Sequence, residues 1–527
     1  MKERVNILKF FEIPFHKKYL TFIVILLILG LSAVTYAGND NQTNEPQDTK
    51  KLLKEAKKHS QKGELNEAEK ILKQILSRTP SHAAASLDLA YILHKKRHLL
   101  EAYNLAYDVA KADAKNSYAF AILGAIHLSA GNFDEAKKFL TNSIFLNKKE
   151  ALAWAGLGML DFYENRIQDS ILSLREAVYY DSREPDYVFS LAQVSARAEK
   201  YKAAADAYEH FLQISPKSDA ERRDRIKGLI KFLRYLGRRS SLYDIGGETE
   251  TKIKMPLLNN RPVIQVKLEK DGELLNFVLD TGSGISVLSE KSSKRLKIKP
   301  VSKGGVARAL GGDGRFDIVY GFLDKVYIGD VHVRNVPIYI REFHNKNEEI
   351  DGYIGLSLIS KFITTVDYGN ETFELSRKED SEDFKSEKDK TALPLRLTSS
   401  GFLSGQVKLE GIESPLNFIV DTGASVSVIS ERLAVSDELS QYDSGETMRV
   451  IGAAGITEGV PSFLLPKVTF GNFSRKELKA ISLDLNLINE TSGFEQAGIL
   501  GGNFLKNYRL TFDFKNSKVI FVPNIKN

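Results

Sequence analysis

Residues 275 to 290 read LNFVLDTGSGISVLSE, and residues 416 to 431 read LNFIVDTGASVSVISE. The two stretches are offset by 141 positions throughout and identical at 10 of 16, and they differ mainly by exchanges among Val, Ile and Leu. In each, a β-branched apolar run stops at Asp-Thr-Gly, continues through small residues and enters a second short apolar run, the pattern of strand, tight turn, strand. The frame persists downstream. Residues 351 to 368, DGYIGLSLISKFITTVDY, answer residues 497 to 514, AGILGGNFLKNYRLTFDF, with Gly352 and Gly355 matching Gly498 and Gly501. One β-rich lobe is therefore expected twice, over residues 259–376 and 392–527. A charged linker, 377–391, separates the copies, and a Gly- and polar-rich linker, 241–258, precedes the first.

Simple counts remove other chemistries. The 527 residues contain no cysteine, which excludes disulfides, thiolate nucleophiles and cysteine-held metals. The two lobes hold only His332 and His344, and neither contains a Gly-x-Ser-x-Gly elbow, so a duplicated serine hydrolase is poorly supported. Metallopeptidase motifs and a P-loop are absent, and the glycines at 311, 312 and 314 form no dinucleotide fingerprint. A net charge of +6 is small for this length and gives no ground for nucleic-acid binding. No cofactor or metal is expected.

A strand ending in Asp-Thr-Gly-Ser or Asp-Thr-Gly-Ala, a glycine-containing middle segment and a late apolar-apolar-Gly step resemble the retropepsin and pepsin clan of aspartic peptidases, nearly end to end in each lobe. The resemblance implies an all-β bilobal fold in which Asp280 and Asp421 face each other across a cleft. Two carboxylates so close cannot both ionise, so the pair shares a proton and supplies both an acid and a base. Thr281 and Thr422 are implied to lock the two loops by hydroxyl-to-backbone bonds. Gly282 and Gly423 leave room for backbone amides beside the carboxylates. Ser283 is expected to donate a hydrogen bond towards the dyad, which Ala424 cannot. The candidate flaps are Ala309 to Gly314, with Gly311 and Gly312, and Ile451 to Gly455, with Gly452 and Gly455; neither carries the tyrosine of pepsin's flap. The expected activity is endopeptidase cleavage of a protein or peptide. Two alternatives are a non-catalytic adaptor with binding lobes and an enzyme that cleaves only itself.

Upstream, the sequence repeats every 34 residues. Small residues recur at Ala56, Ala90, Gly124, Gly158 and Ala192, and again at Ala68, Ala102, Ala136, Ser170 and Ala204; an apolar series, Leu65, Leu99, Phe133, Ile167 and Tyr201, keeps the same step. Small residues at two fixed points let two antiparallel helices cross closely. Five such units over residues 49–218 resemble the tetratricopeptide repeat and predict an all-α solenoid, which implies a protein partner or substrate on its concave face; the plainer alternative is a spacer. A basic helix over residues 219–240 is expected to cap the array with a solvated face. His94 and His98 stand at i and i+4 but flank Lys95, Lys96 and Arg97 beside a turn, without a zincin glutamate, and are read as solvated.

Residues 1–19 carry Lys2, Arg4, Lys9, Lys17 and Lys18, and residues 20–37 are uncharged and strongly apolar. As a helix, that apolar run would be roughly 27 Å long, enough to cross a bilayer core. The expectation is a single-pass transmembrane anchor with a cytoplasmic basic start, a tether over 38–48 and everything beyond it on the far side. Cleavage after Thr35-Tyr36-Ala37 would instead make the region a signal peptide and the protein secreted.

Overall fold

A computed structural model describes residues 47–239, 241–345, 347–377 and 392–524. The expected anchor over 20–37 and nearly all of the charged linker lie outside the described residues, within which no helix is long and apolar enough to cross a membrane. The chain divides at residue 115 into two compact units. The first contains the helices Gln47–Gln61, Leu65–Arg78, Ala83–Lys95 and Leu99–Ala112. They pair in sequence, with Ala56, Ala68, Ala90 and Ala102 buried at the crossings.

The second unit opens with three more helix pairs: Ser117–Ala130 with Phe133–Leu146, Ala151–Tyr163 with Ile167–Tyr180, and Pro185–Arg197 with Tyr201–Ile214. The reason for the recurring small residue is direct. A Cβ at Gly124 would lie 2.6 Å from Leu140 Cγ, and one at Gly158 would lie 2.7 Å from Leu174 Cγ, closer than carbon atoms approach. A further series at the same step emerges in the backbone, because the turn inside each pair places one residue at positive φ: Gly63, Arg97, Gly131, Asn165 and Glu199. Only two of the five are glycines, so the repeated geometry imposes a left-handed conformation on Arg97 and Glu199 that such residues rarely adopt.

In the second unit these turns rest on the β region. Asn165 Nδ2 donates to Phe514 O at 3.0 Å, Glu199 pairs with Lys361, and Glu495 N donates to Ser129 O at 2.9 Å. Phe494 packs edge-on against Phe133 and Tyr163, each at 4.9 Å between ring centroids.

The basic helix forms over Ala220–Leu236. Its Ile226 and Leu233 close the core of the last repeat, together with Val188, Ala192, Tyr208 and Phe211. On its other side Phe232 and Leu236 pack with Ile318, Tyr320 and Phe322 of the first β lobe, while Lys227, Lys231, Arg238 and Arg239 of the charge run are exposed. Its backbone touches the strand Ser302–Arg308. A Cβ at Gly228 would lie 2.4 Å from Gly304 O, Ser302 Oγ donates to Gly228 O at 3.0 Å, and the strand's register breaks between Lys303 and Val306 where the helix lies against it. The bulge lets the strand bend around the helix. Gly228→Ala is therefore expected to cost about 1–3 kcal/mol through overpacking, read as a lower unfolding midpoint in denaturant; an unchanged midpoint would show that the contact is slack.

The two lobes share one topology. In the first, the strand order is Leu257–Leu258, Arg261–Val266, Leu275–Leu279, Gly352–Ile354, Ser286–Ser289, Val331–Arg341, Arg315–Ile328 and Ser302–Arg308. In the second, Arg396–Leu397, Leu403–Leu409, Leu416–Val420, Gly498–Leu500, Ser427–Ser430, Phe473–Leu483, Ile456–Phe470 and Asp443–Ile451 follow the same order. A third sheet joins them: Ala392–Pro394, Lys518–Pro523, Tyr508–Asp513, Ile363–Asp367, Thr372–Ser376 and Glu250–Lys254. At its centre one strand from each lobe pairs antiparallel, and Thr365 Oγ1 meets Thr511 Oγ1 at 3.0 Å. The linker expected over residues 241–258 is also corrected, since Glu250–Lys254 is an edge strand of this sheet and Asp244–Gly247 pairs with Val331–Arg334 in the first lobe.

Candidate active site

Each Asp-Thr-Gly follows a strand whose parallel neighbour is the late glycine strand: Leu275–Leu279 beside Gly352–Ile354, and Leu416–Val420 beside Gly498–Leu500. The glycines permit this. A Cβ at Gly352 would lie 2.2 Å from Phe277 Cε1, and one at Gly498 would lie 2.3 Å from Phe418 Cε1. The neighbour strands then hold the aspartate backbones, with Asp280 N donating to Ile354 O at 3.0 Å and Asp421 N to Leu500 O at 3.1 Å.

The loops meet at the threonines. Thr281 Oγ1 donates to Val420 O at 2.7 Å and accepts from Thr422 N at 3.0 Å; Thr422 Oγ1 donates to Leu279 O at 2.7 Å and accepts from Thr281 N at 3.1 Å. Both side chains are buried, at 1% and 0% exposure. This reciprocal lock brings each carboxylate over the other lobe's glycine. A Cβ at Gly282 would lie 2.4 Å from Asp421 Cγ, and one at Gly423 would lie 2.7 Å from Asp280 Cγ.

The half-buried aspartates are not equivalent. Loss of water raises the Asp280 carboxyl well above the usual carboxylate range; the negative charge of Asp421 and a hydrogen bond donated to it raise Asp280 further. Burial raises Asp421 too, but amides of Gly423, Ala424 and Gly282 and the hydrogen bond from Asp280 counter it. The amide of Gly423 lies 2.7 Å from Asp421 Oδ1. Three amides at one carboxylate and one, from Gly282, at the other favour the proton on Asp280 and the charge on Asp421. Ser283 does not contribute as expected: its hydroxyl donates to Ile285 O at 2.9 Å, inside its own loop. Ala424 acts through its amide rather than its side chain.

Both candidate flaps stand at hairpin tips, between Ser302–Arg308 and Arg315–Ile328 and between Asp443–Ile451 and Ile456–Phe470. The tips meet. Ala454 N donates to Leu310 O at 3.0 Å, and a Cβ at Gly311 or Gly452 would lie 2.3 Å from Gly455 O or 2.1 Å from Leu310 O. Gly312 and Gly455 lie against each other in the same contact. Leu310 packs against the second lobe's apolar cluster around Ile488 and Val460. Arg308, 8% exposed in its side chain, ties the first hairpin to Glu221 of the basic helix and to Glu490 of the second lobe.

One residue near the dyad was not singled out from sequence. Arg341 ends the strand Val331–Arg341, opposite Ser289, and its Nη1 donates to Ala453 O at the second hairpin tip at 3.0 Å. The signal was a lobe comparison: in the second copy the same register places Leu483 opposite Ser430, so a charge stands where the twin is apolar. Among the described residues no group of three or more His, Cys, Asp or Glu side chains is placed to hold a metal.

A family model described as aspartyl protease matches residues 264–358 and 405–504, and one described as tetratricopeptide repeat matches residues 53–119 and 155–219. No curated protein matches the chain. Among solved structures, the chain is similar to a thermophilic tetratricopeptide-repeat protein of Thermus thermophilus, at 15% identity and TM-score 0.31, over 36% of this chain and 99% of that one. It is also similar to pilF of Pseudomonas aeruginosa, at 15% identity and TM-score 0.27, over 36% of this chain and 86% of that one. MamA of Desulfovibrio magneticus matches at 18% identity and TM-score 0.24, over 32% of this chain and 95% of that one.

Proposed function

From a chain that joins tetratricopeptide repeats to two aspartyl protease lobes, we propose an aspartic endopeptidase whose dyad is Asp280 and Asp421. The observation that carries it is the reciprocal threonine lock, which sets two half-buried carboxyls within hydrogen-bond reach of each other. Asp421, ionised, takes a proton from water as the water oxygen bonds to the scissile carbonyl carbon. Asp280, protonated, hydrogen-bonds the oxyanion that forms. The C–N bond then breaks as the proton held by Asp421 passes to the leaving amine. The hairpin tips exclude bulk water from this step and must part to admit a chain.

The repeats, in this proposal, gather a protein substrate or partner close to the cleft. The proposal also keeps residues 20–37 as a membrane anchor that places repeats and lobes on the far side, or as a signal whose removal releases them. The test is cleavage of mixed peptides by the purified chain over about pH 3 to 8, with and without pepstatin. Pepstatin-sensitive products support the peptidase; none at any pH would leave a binding adaptor.

The pH dependence has a definite sign. Turnover needs Asp421 charged and Asp280 protonated, so it rises as Asp421 ionises and falls as Asp280 does. Both carboxyls are raised, Asp280 the more, so both limbs of the bell are displaced upwards in pH and the alkaline limb further than the acid one. Stability moves too. A carboxyl raised on folding holds its proton more tightly in the folded state, so its contribution is full below the unfolded value of about 3.9 and is lost as pH climbs through the folded one. Asp280→Asn lacks that loss. Its unfolding midpoint is expected to gain on wild type as pH rises above the unfolded value of about 3.9; a difference that stays constant as pH rises would contradict the assignment of the raised carboxyl.

A further inference from the structure

Arg341 is a half-buried guanidinium set between the floor of the cleft and its cover. Below it lies Tyr353, on the strand whose Ile354 carbonyl holds the Asp280 amide; above it lies Ala453 at the second hairpin tip. Three rings surround it, Phe343 at 4.9 Å, Tyr353 at 5.5 Å and Phe316, from the first hairpin, at 5.6 Å. Its Nη1 has two carbonyl acceptors, Ala453 O at 3.0 Å and Glu342 O at 3.4 Å. Other arginines of this lobe find carboxylates: Arg261 pairs with Glu348, Arg295 with Asp351 and Arg334 with Asp244. Among the described residues Arg341 pairs with none, and its Nε and Nη2 make no hydrogen bond.

A charge held among rings without a counter-ion is costly, and a guanidinium offers five donors in a planar fork suited to a carboxylate. The cation also acts on the dyad, since it lowers the Asp280 carboxyl against the forces that raise it, while its own basicity is depressed by burial. Because Leu483 holds the equivalent place in the second lobe, the matching position there carries no charge.

We propose that Arg341 determines specificity, its free fork receiving a carboxylate of the bound peptide beside the scissile bond. The carboxylate is that of an Asp or Glu side chain or of the peptide's own C-terminus. The inference rests on the peptidase reading for the word scissile but not for the binding.

The experiment uses the full chain and peptides carrying one reduced, uncleavable amide. Glu or Gln is placed at each position from three before to three after that bond, and each peptide is made as free acid and as amide. Affinity is measured by calorimetry, and cleavage of the unreduced parents by mass spectrometry, for wild type and Arg341→Gln. A charged hydrogen bond of this kind is expected to give about 10- to 100-fold tighter binding for Glu over Gln at one position, or for acid over amide. The ratio should fall to near one in Arg341→Gln, and the unfolding midpoint reports whether that variant is folded. The wild-type ratio stands even if it is not. The position-specific Glu preference identifies a side chain and the acid-over-amide preference identifies the terminus. Equal affinities throughout in wild type, a ratio that survives in folded Arg341→Gln, or no binding of any peptide overturns the proposal. Preference in binding without cleavage of any parent would sink the peptidase reading and leave this inference standing; cleavage without preference would do the reverse.

Discussion

Asp280→Asn and Asp421→Asn are each expected to lower kcat by about 10²- to 10⁴-fold or more, and mixing the two inactive proteins is expected to restore nothing. Asn keeps the shape of Asp but can neither supply the proton nor take it, so either change removes one partner of the acid–base pair. The absence of rescue follows from the third sheet. Ile363–Asp367 of the first lobe and Tyr508–Asp513 of the second pair at its centre, flanked by Thr372–Ser376 on one side and Lys518–Pro523 on the other. Exchanging lobes between chains would mean opening that ladder and losing the translational freedom that a single chain never has to lose. The asymmetry of the lobes points the same way, since Arg341 faces a tip whose own lobe has Leu483 in the matching place. Substantial turnover by either variant, or recovery on mixing, would mean that the working dyad forms between chains.

How much of this was legible depends on whether the governing contact is local. The duplicated frame marks Asp280 and Asp421 because the turn after each strand needs the same residues twice, and the small residues of the repeats mark helix crossings because close approach leaves no room for a side chain there, as at Gly124 and Gly158. The misread segments are those whose structure is decided by a distant partner. Residues 250 to 254, ETKIK, lack a strong strand pattern and become a strand by pairing with Thr372–Ser376, far along the chain. The basic helix shows its charges in sequence, but Phe232, Leu236 and Gly228 acquire meaning only when Tyr320 and Gly304 lie against them. Ser283 is the local exception, its suitable hydroxyl being taken by Ile285 O two residues on.

Thr281→Val and Thr422→Val are each expected to destabilise the chain by about 2–6 kcal/mol and to lower kcat by roughly 10²-fold, with KM changed far less. Valine has nearly the shape of threonine, with a methyl in place of the hydroxyl, so at these buried positions the main change is the loss of the hydroxyl's hydrogen bonds. Each hydroxyl serves two backbone groups of the opposite lobe. Without Thr281 Oγ1, Val420 O and Thr422 N lose their partner; without Thr422 Oγ1, Leu279 O and Thr281 N lose theirs. A buried polar group left unmade costs about 1–3 kcal/mol, and two such groups set the range given. The effect on rate arises because Leu279 and Val420 immediately precede the two aspartates, so loosening either carbonyl lets a carboxyl drift from its partner. The double variant should cost less than the sum, since the loops have already parted when the second hydroxyl is removed. Thr→Ser at either position keeps the hydroxyl and should recover most of kcat, which a loss of packing could not explain. Wild-type kcat and an unchanged unfolding midpoint in both valine variants would show that the lobes are held in register by the third sheet alone.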